Sequence, residues 1–389
     1  MPIAESSPLQ AHLHPLTLKR STYDPLLDAI GNAQVVLIGD GSHGTFEFYA
    51  HRANLTQRLI EEKGFTVVAL EADWPDAFRI NRYIHQENQD THPHLHHETA
   101  KTALGAFERF PKWMWKNEIM PPFIDFVKAF NADVLKDNGD SSNQVSFYGI
   151  DLYSLRRSSE EVIAYLERVD PEAAKATKHR YACFEKFGDD STCYANATQS
   201  GMSKTCQQEA IQNLRDLIQN HRSAHLIGEI NVGQRCRELF GAENVFNIGF
   251  LTDQGTVTAA YEWDEPPRLL TLNPPISQSI EKVFNETTEG DGYIITHRIE
   301  DTPEGESKKV EVNKEVNEFL NKPRYQRFIG VLYKTATEIP SHYTKCRVAD
   351  QYDAVVHIKK TRGIQPLEPE DEFKGMTRGD LDMTYPFGE

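Results

Sequence analysis

Two unbroken apolar runs, QVVLIG (34–39) and FTVVALE (65–71), confine this chain to a fold built around a covered sheet. A β-branched run with no polar alternation marks a strand buried on both faces, which needs helices on either side of it. Between the runs, Phe46, Tyr49, Ala50, Ala53, Leu59 and Ile60 recur at helical spacing from Thr45 to Lys63, and Gly64 stops the pattern. Strand, helix and strand within about 38 residues predict a right-handed βαβ crossover in a parallel sheet.

The rest of the chain extends that plan. Further strands are predicted at 144–151, 244–250, 292–297, 327–333 and 353–359. Helices are predicted at 23–30, at 75–86 behind Pro75, and through about 101–137. Residues 86–100 are polar and predict a surface loop, and 155–240 carry mostly helical pattern. The expectation is an α/β fold with a parallel-dominated sheet flanked by helices and a helical insertion. Residues 1–32 form a lead-in, 33–360 the α/β domain with its helical elaboration at about 155–240, and 361–389 an acidic tail.

Charge excludes several functions. The net charge is −16 over 389 residues, whereas a nucleic-acid or anionic-membrane surface needs a basic face. No apolar run approaches a membrane span, and the N-terminal stretch lacks the basic-then-apolar layout of a secretory signal. Five cysteines, an odd number without C-x-x-C spacing, point to reduced thiols and a cytoplasmic protein. The oligomeric state is not encoded in any of these features.

The chemistry gathers where strands end. Ligands of open α/β sheets bind beyond the carboxyl ends of the strands. Here Asp40–His43 follow the first run, Glu71 and Trp74 the second, and Asp151 and Tyr153 the third. His43 precedes a helix whose positive end disfavours imidazolium, which suits a proton acceptor. Asp40 is placed to orient the ring, and Arg52 to offer positive charge to an oxyanion. The plain alternative is that His43 only bonds its own turn. Glu47, Arg109, Trp115, His342 and His357 are the further candidates for lining a small-molecule cleft. Of Trp113 and Trp115, which cannot share a helix face, one would be core and the other cleft, unless both are core. Ser42 beside His43 is poor geometry for a nucleophile, and no G-x-S-x-G elbow occurs. A metal would need His43 to converge with His342 or His357, with no H-E-x-x-H or Cys/His pairing to support it. His92, His94, His96 and His97 read as a solvated loop. No cofactor is implied.

Several segments together carry a resemblance that none carries alone. VVLIGDGSHGTFEFYAHRANLTQRLIEEKGFTVVALEADWPDAFRINRY, FERFPKWMW, YGIDLY, INVGQ, GTVTAAYEW, FIGVLYKTATEIPSHY and DQYDAVVHI occur in that order. They resemble the erythromycin esterase family over about residues 33–366. The resemblance implies a sheet-centred α/β fold with a deep cleft, and hydrolysis of an ester or lactone without metal or covalent intermediate. It implies that His43 activates water, that position 40 supports the base, and that Arg52 and Glu71 shape the site.

Two departures qualify what is inherited. The family pattern has Glu where this chain has Asp40, one methylene shorter, which leaves a base-orienting contact long. Members also carry a longer segment before the NVGQ stretch, with a W-x-H-N-x-H-type motif that supplies two more histidines. Residues 206–234 run almost directly across that junction, and only His221 and His225 lie nearby. Three readings follow: a histidine-driven ester or lactone hydrolase, an impaired homologue that binds a small molecule in the same cleft, and a metal-dependent hydrolase.

Overall fold

The computed structural model describes residues 8–85, 99–138, 141–151 and 232–368 except position 304, together with short helical stretches within 163–178. The chain divides into two compact units. The first comprises Met1–Phe65, Phe107–Val127 and Glu229–Glu389, and the second Thr66–Ala106 and Lys128–Gly228.

The first unit is built on a six-stranded sheet. Its strands are β1 (His14–Pro15), β2 (Val35–Ile38), β5 (Val245–Ala259), β6 (Arg268–Thr271), β7 (Gly292–Ile295) and β12 (Ala354–Thr361), in the order β1-β7-β12-β5-β2 with β6 on the far half of β5. β2 and β12 flank β5 in parallel. β7 pairs β12, β1 pairs β7 and β6 pairs β5 antiparallel. The sheet is therefore mixed, which corrects the parallel-dominated expectation. The reason is physical: the run GYII is fully buried, and an apolar run reports burial on two faces, not the direction of its neighbour.

Alternation along the strands sorts two cores. Phe246, Ile248, Phe250, Tyr293, Ile295, Val356 and Ile358 meet Tyr23, Leu26 and Ile30 of the α2 region (Asp24–Ile30) and Phe48, Leu55 and Leu59 of α3 (Phe46–Lys63). The intervening Leu251, Ile294 and Val355 face Leu9 of α1 (Leu9–His12), Ile280 and Phe284 of α8 (Ile280–Thr287), and Val316 and Leu320 of α9 (Lys314–Leu320). The period of two along a strand is what puts neighbours in different cores. Each fully buried side chain of this size contributes about 1.5–3 kcal/mol. Helix α3 ends as expected at Gly64, whose φ of 69° is the left-handed C-cap.

Smaller pieces complete this unit. β8 (His297–Asp301) and β9 (Ser307–Glu311) form a hairpin, and β10 (Arg324–Arg327) pairs β11 (Tyr343–Cys346). The strand expected at 327–333 lies mostly beyond β10; its residues Ile329 and Leu332 make single bridges to Ser42 and Ala260. Helices α7 (Val232–Phe240), α10 (Glu338–His342) and α11 (Val348–Gln351) are short connectors. Residues 362–368, expected to begin a tail, are built in: Gly363 bridges Thr45, Pro366 bridges Asn117, and Ile364 is buried.

The second unit pairs β3 (Val67–Asp73) with β4 (Ser146–Asp151) in parallel, as a two-stranded sheet of their own. β3 thus shares a sheet with β4, and not the sheet that holds β2, which the crossover reading expected. Helix α4 (Trp74–Ile84) supplies Asn81, whose Oδ1 accepts from Phe147 N at 2.9 Å. Asn131 of α6 (Met120–Asn138) brackets Val145, accepting from its N–H at 2.7 Å and donating to its carbonyl at 2.9 Å. The long helix expected over 101–137 is broken into α5 (Ala100–Ala103), short 3-10 turns and α6, with a cis Phe110–Pro111 peptide between.

Candidate active site

The loop after β2 is held on several sides by backbone. Gly39 N–H continues the ladder to Ile248 O at 3.0 Å. Gly41 lies so close to β5 that a Cβ there would stand 2.5 Å from Phe250 O, and its own carbonyl accepts from Ile329 N at 2.9 Å. His43 N–H donates to Ile329 O at 2.9 Å. Gly44 O accepts from Thr258 N at 3.0 Å and Ile364 N at 2.9 Å. A five-residue turn with this many fixed backbone contacts is a rigid mount, which is what a positioned side chain needs.

That mount presents a triad of charge. Asp40 Oδ1 lies 3.2 Å from His43 Nδ1, and Asp40 Oδ2 accepts from Arg52 Nη1 at 3.2 Å. The three side chains are only 22%, 11% and 17% exposed for His43, Asp40 and Arg52. Burial alone would raise the Asp40 carboxyl, but the Arg52 and His43 charges and their hydrogen bonds outweigh it and hold it below the usual range. An ionised Asp40 is an acceptor only, so it selects the tautomer with the proton on Nδ1 and the lone pair on Nε2.

Helix α3 supplies the second half of the cluster. Tyr49 and Arg52 are three apart and share a face, and the guanidinium lies over the phenol ring at 4.2 Å. Tyr49 OH donates to His43 O at 2.9 Å, and its ring meets Trp115 edge-on at 6.0 Å. Arg52 Nη2 is buried with no hydrogen-bond partner among the described residues. A buried N–H without an acceptor is costly, and one beside a histidine–carboxylate pair is available to an anion that forms there.

The other expected residues are distributed as follows. Glu47 is committed to the chain: its Oε2 accepts from Arg362 N at 2.9 Å, and burial pushes its carboxyl up to about 7. Trp115 is buried beside Tyr49, Trp113 is buried too, and Arg109 is exposed. His342 Nδ1 bonds Phe328 O at 3.1 Å, one residue before the Ile329 carbonyl that anchors His43. Burial lowers the His342 imidazole, the Phe328 bond opposing. His357 has no exposed surface from which to touch a substrate. Its Nε2 bonds Asp253 Oδ1 at 2.9 Å, its Nδ1 faces Thr288 Oγ1 at 3.4 Å and its ring stacks on Phe284, so it is a core histidine and not a cleft residue. Ser42 is buried and bonded to Thr45 Oγ1 at 2.7 Å.

Glu71, Trp74 and Asp151 belong to the second unit. Glu71 is exposed on β3, Trp74 is 40% exposed and stacks on Phe78 at 4.8 Å, and Asp151 ends β4 in register with Asp73. Tyr153, the 92–97 histidines, His221, His225, the junction before Val232 and most of the 155–240 elaboration lie outside the described residues. Among the described residues no three His, Cys, Asp or Glu side chains gather to hold a metal ion, and no helix is long and apolar enough to cross a membrane. The sequence reading took Tyr49 only as part of the apolar stripe of α3 and Ile329–Gly330 only as part of a strand at 327–333, and assigned neither to the site. The i,i+3 relation of Tyr49 to Arg52 was a usable signal; nothing local placed Ile329–Gly330 against His43.

A histidine–carboxylate–arginine cluster thus spans the loop after β2 and helix α3 of an α/β unit. The erythromycin esterase family model matches residues 60–227 and 222–361, and the chain belongs to that family. It is 37% identical over 130 residues, a third of the chain (33%), to erythromycin esterase type II of Escherichia coli. It is 22% identical over 216 residues, 54% of the chain, to the hydrolase-named protein YbfO of Bacillus subtilis strain 168. The matched stretches cover 26% and 42% of those proteins, less than half of either. Among solved structures it is similar to a succinoglycan biosynthesis protein, at 19% identity and a TM-score of 0.64 over 92% of this chain and 96% of that one. It is also similar to a variant of erythromycin esterase EreC in its open conformation, at 13% identity and a TM-score of 0.54 over 92% and 97%.

Proposed function

We propose that this protein hydrolyses a carboxylic ester or lactone with water activated by His43. The observation that carries the reading is the Asp40 carboxylate shared between His43 Nδ1 and Arg52 Nη1. The family, and the names of the relatives, supply the reaction class. His43 Nε2 takes a proton from water as its oxygen attacks the carbonyl carbon. Asp40 stabilises the imidazolium that forms, and the second N–H group of Arg52 meets the developing oxyanion. On collapse the C–O bond to the leaving alcohol breaks and the imidazolium returns its proton to that oxygen. In a lactone the alcohol stays tethered, so the product is a hydroxy acid.

The test uses initial rates on p-nitrophenyl acetate, δ-valerolactone and a 14-membered macrolactone, for the full chain and for His43→Asn. Turnover of at least one substrate, lost in His43→Asn and unaffected by EDTA, is expected. Equal rates in His43→Asn would remove the base assignment, and loss in EDTA would transfer the reaction to a metal. Saturable calorimetric binding without turnover would make the chain the impaired homologue.

A further inference from the structure

We propose that Arg327 is a positioning residue for His43. Its guanidinium is sealed in the core, and the side chain spans four acceptors. Nη1 donates to Asn273 O at 2.8 Å and to Glu338 Oε1 at 3.1 Å; Nη2 donates to Thr252 O at 2.7 Å and Asp253 O at 2.9 Å. The Arg327 backbone N–H donates to Glu281 Oε1 at 2.8 Å. One carboxylate would neutralise the charge. Three main-chain carbonyls from two separate segments are instead the contacts of a clamp, made possible by the planar fork of arginine. Stability alone does not call for it, because buried ion pairs are commonly replaced by apolar side chains without loss.

What the clamp fixes is the offset between β5 and the segment that follows Arg327. The His43 loop rests on both. Gly41 is wedged between Phe250 O of β5, 2.5 Å from where a Cβ would stand, and Arg327 O at 3.6 Å. Two residues beyond Arg327, Ile329 donates to Gly41 O and accepts from His43 N, each at 2.9 Å. Gly330 follows, where a Cβ would stand 3.8 Å from His43 Cδ2 and 3.9 Å from Nε2. A slip of this segment along β5 therefore moves the imidazole relative to Asp40, whose contact at 3.2 Å is already at the long end of a hydrogen bond. Its effect on catalysis rests on the hydrolase reading; its effect on the ring does not.

The experiment follows the His43 imidazole by NMR in the full chain, its signal assigned by its loss in His43→Gln. Arg327→Met keeps bulk and removes every side-chain donor, and Arg327→Lys keeps the charge without the fork. With cooperative unfolding retained, the His43 signal and its titration midpoint are expected to move in both variants. On the best ester, kcat is expected to fall about 100-fold with KM within twofold. An unmoved His43 signal and midpoint in a folded Arg327→Met overturns the proposal. Should Arg327→Met not fold, Arg327→Lys and Glu338→Gln carry the test, and an unmoved signal in both overturns it equally. A shifted signal in a protein that turns over no ester leaves the positioning intact and removes the hydrolase reading.

Discussion

Asp40 and Arg52 are joined through Oδ2 and Nη1 at 3.2 Å, and the other oxygen of the same carboxylate faces His43 Nδ1 at the same distance. Asp40 thus couples the His43 imidazole to the Arg52 guanidinium. Asp40→Asn keeps the shape but offers Nδ1 a group that can donate as readily as accept, so the ring loses its fixed tautomer. kcat should fall on the order of 10²–10⁴-fold with KM nearly constant, measured on the best ester. Asp40→Glu is expected to act oppositely. The added methylene lets the carboxylate close a contact now at the long limit, and kcat should rise by on the order of tenfold. A rate unchanged in Asp40→Asn would mean that the carboxylate only ties the loop to α3.

Arg52 has one N–H group on Asp40 and a second buried without an acceptor among the described residues. Arg52→Lys preserves a charge for Asp40 but cannot place a second donor. The expected result is a loss of about 10²–10³-fold in kcat, the size measured for single oxyanion donors elsewhere. If KM rises while kcat holds, Arg52 binds the ground state and the oxyanion role belongs to another group.

How much of this was legible follows from what each residue responds to. β2 and α3 were readable as elements, because an unbroken apolar run and an apolar stripe with Gly64 at its end are local signals. But β2 ends its sheet half-buried and β3 is largely exposed on one face, so neither is buried on both faces as the runs suggested. The His43–Asp40–Arg52 cluster was readable because all three lie on that strand–loop–helix. The direction of β7 and the pairing of β3 with β4 were not, since pairing is decided by residues far along the chain. His357 misled for a related reason. It ends an apolar run as a strand-end ligand would, and only the fold shows Asp253 and Thr288 closing on both its nitrogens. Arg327 carried no signal, because its acceptors are mostly main-chain carbonyls.

Gly44 tests the rigidity of the mount. A Cβ there would stand 1.7 Å from Thr258 O and 2.7 Å from Thr258 C, and backbone cannot swing aside. Gly44→Ala should destabilise by roughly 3 kcal/mol in urea unfolding and lower kcat through the displaced His43. Gly290→Ala, with nothing within 4 Å of its added Cβ, is the control and should stay within about 0.5 kcal/mol. Equal stability of the two variants would show that the turn relaxes freely.

Stability should respond to pH through two opposed sets of groups. Burial pushes Glu47 and Glu281 from 4.5 up to about 7. The folded chain then keeps protons that the unfolded chain releases above about 4.5. Their contribution is full below that pH and is lost as pH rises to 7, by up to ~1.4 kcal/mol per pH unit for each group. His51 is opposite. Sealed against Tyr23 OH at 2.6 Å, it is lowered by burial from 6.5 to about 3, so its contribution is full above 6.5 and is lost as pH falls towards 3. Between 4.5 and 6.5 the one histidine offsets about half of the decline from the two carboxyls. Urea unfolding at steps from pH 4 to 8 separates them: Glu281→Gln should flatten the decline towards pH 7, and His51→Gln, which still accepts from Tyr23, should flatten the acid side. Burial also raises the Asp291 carboxyl. A decline towards pH 7 that persists unchanged in Glu281→Gln would therefore assign it to Glu47 and Asp291, and the double variant Glu47→Gln/Glu281→Gln would then have to reduce it.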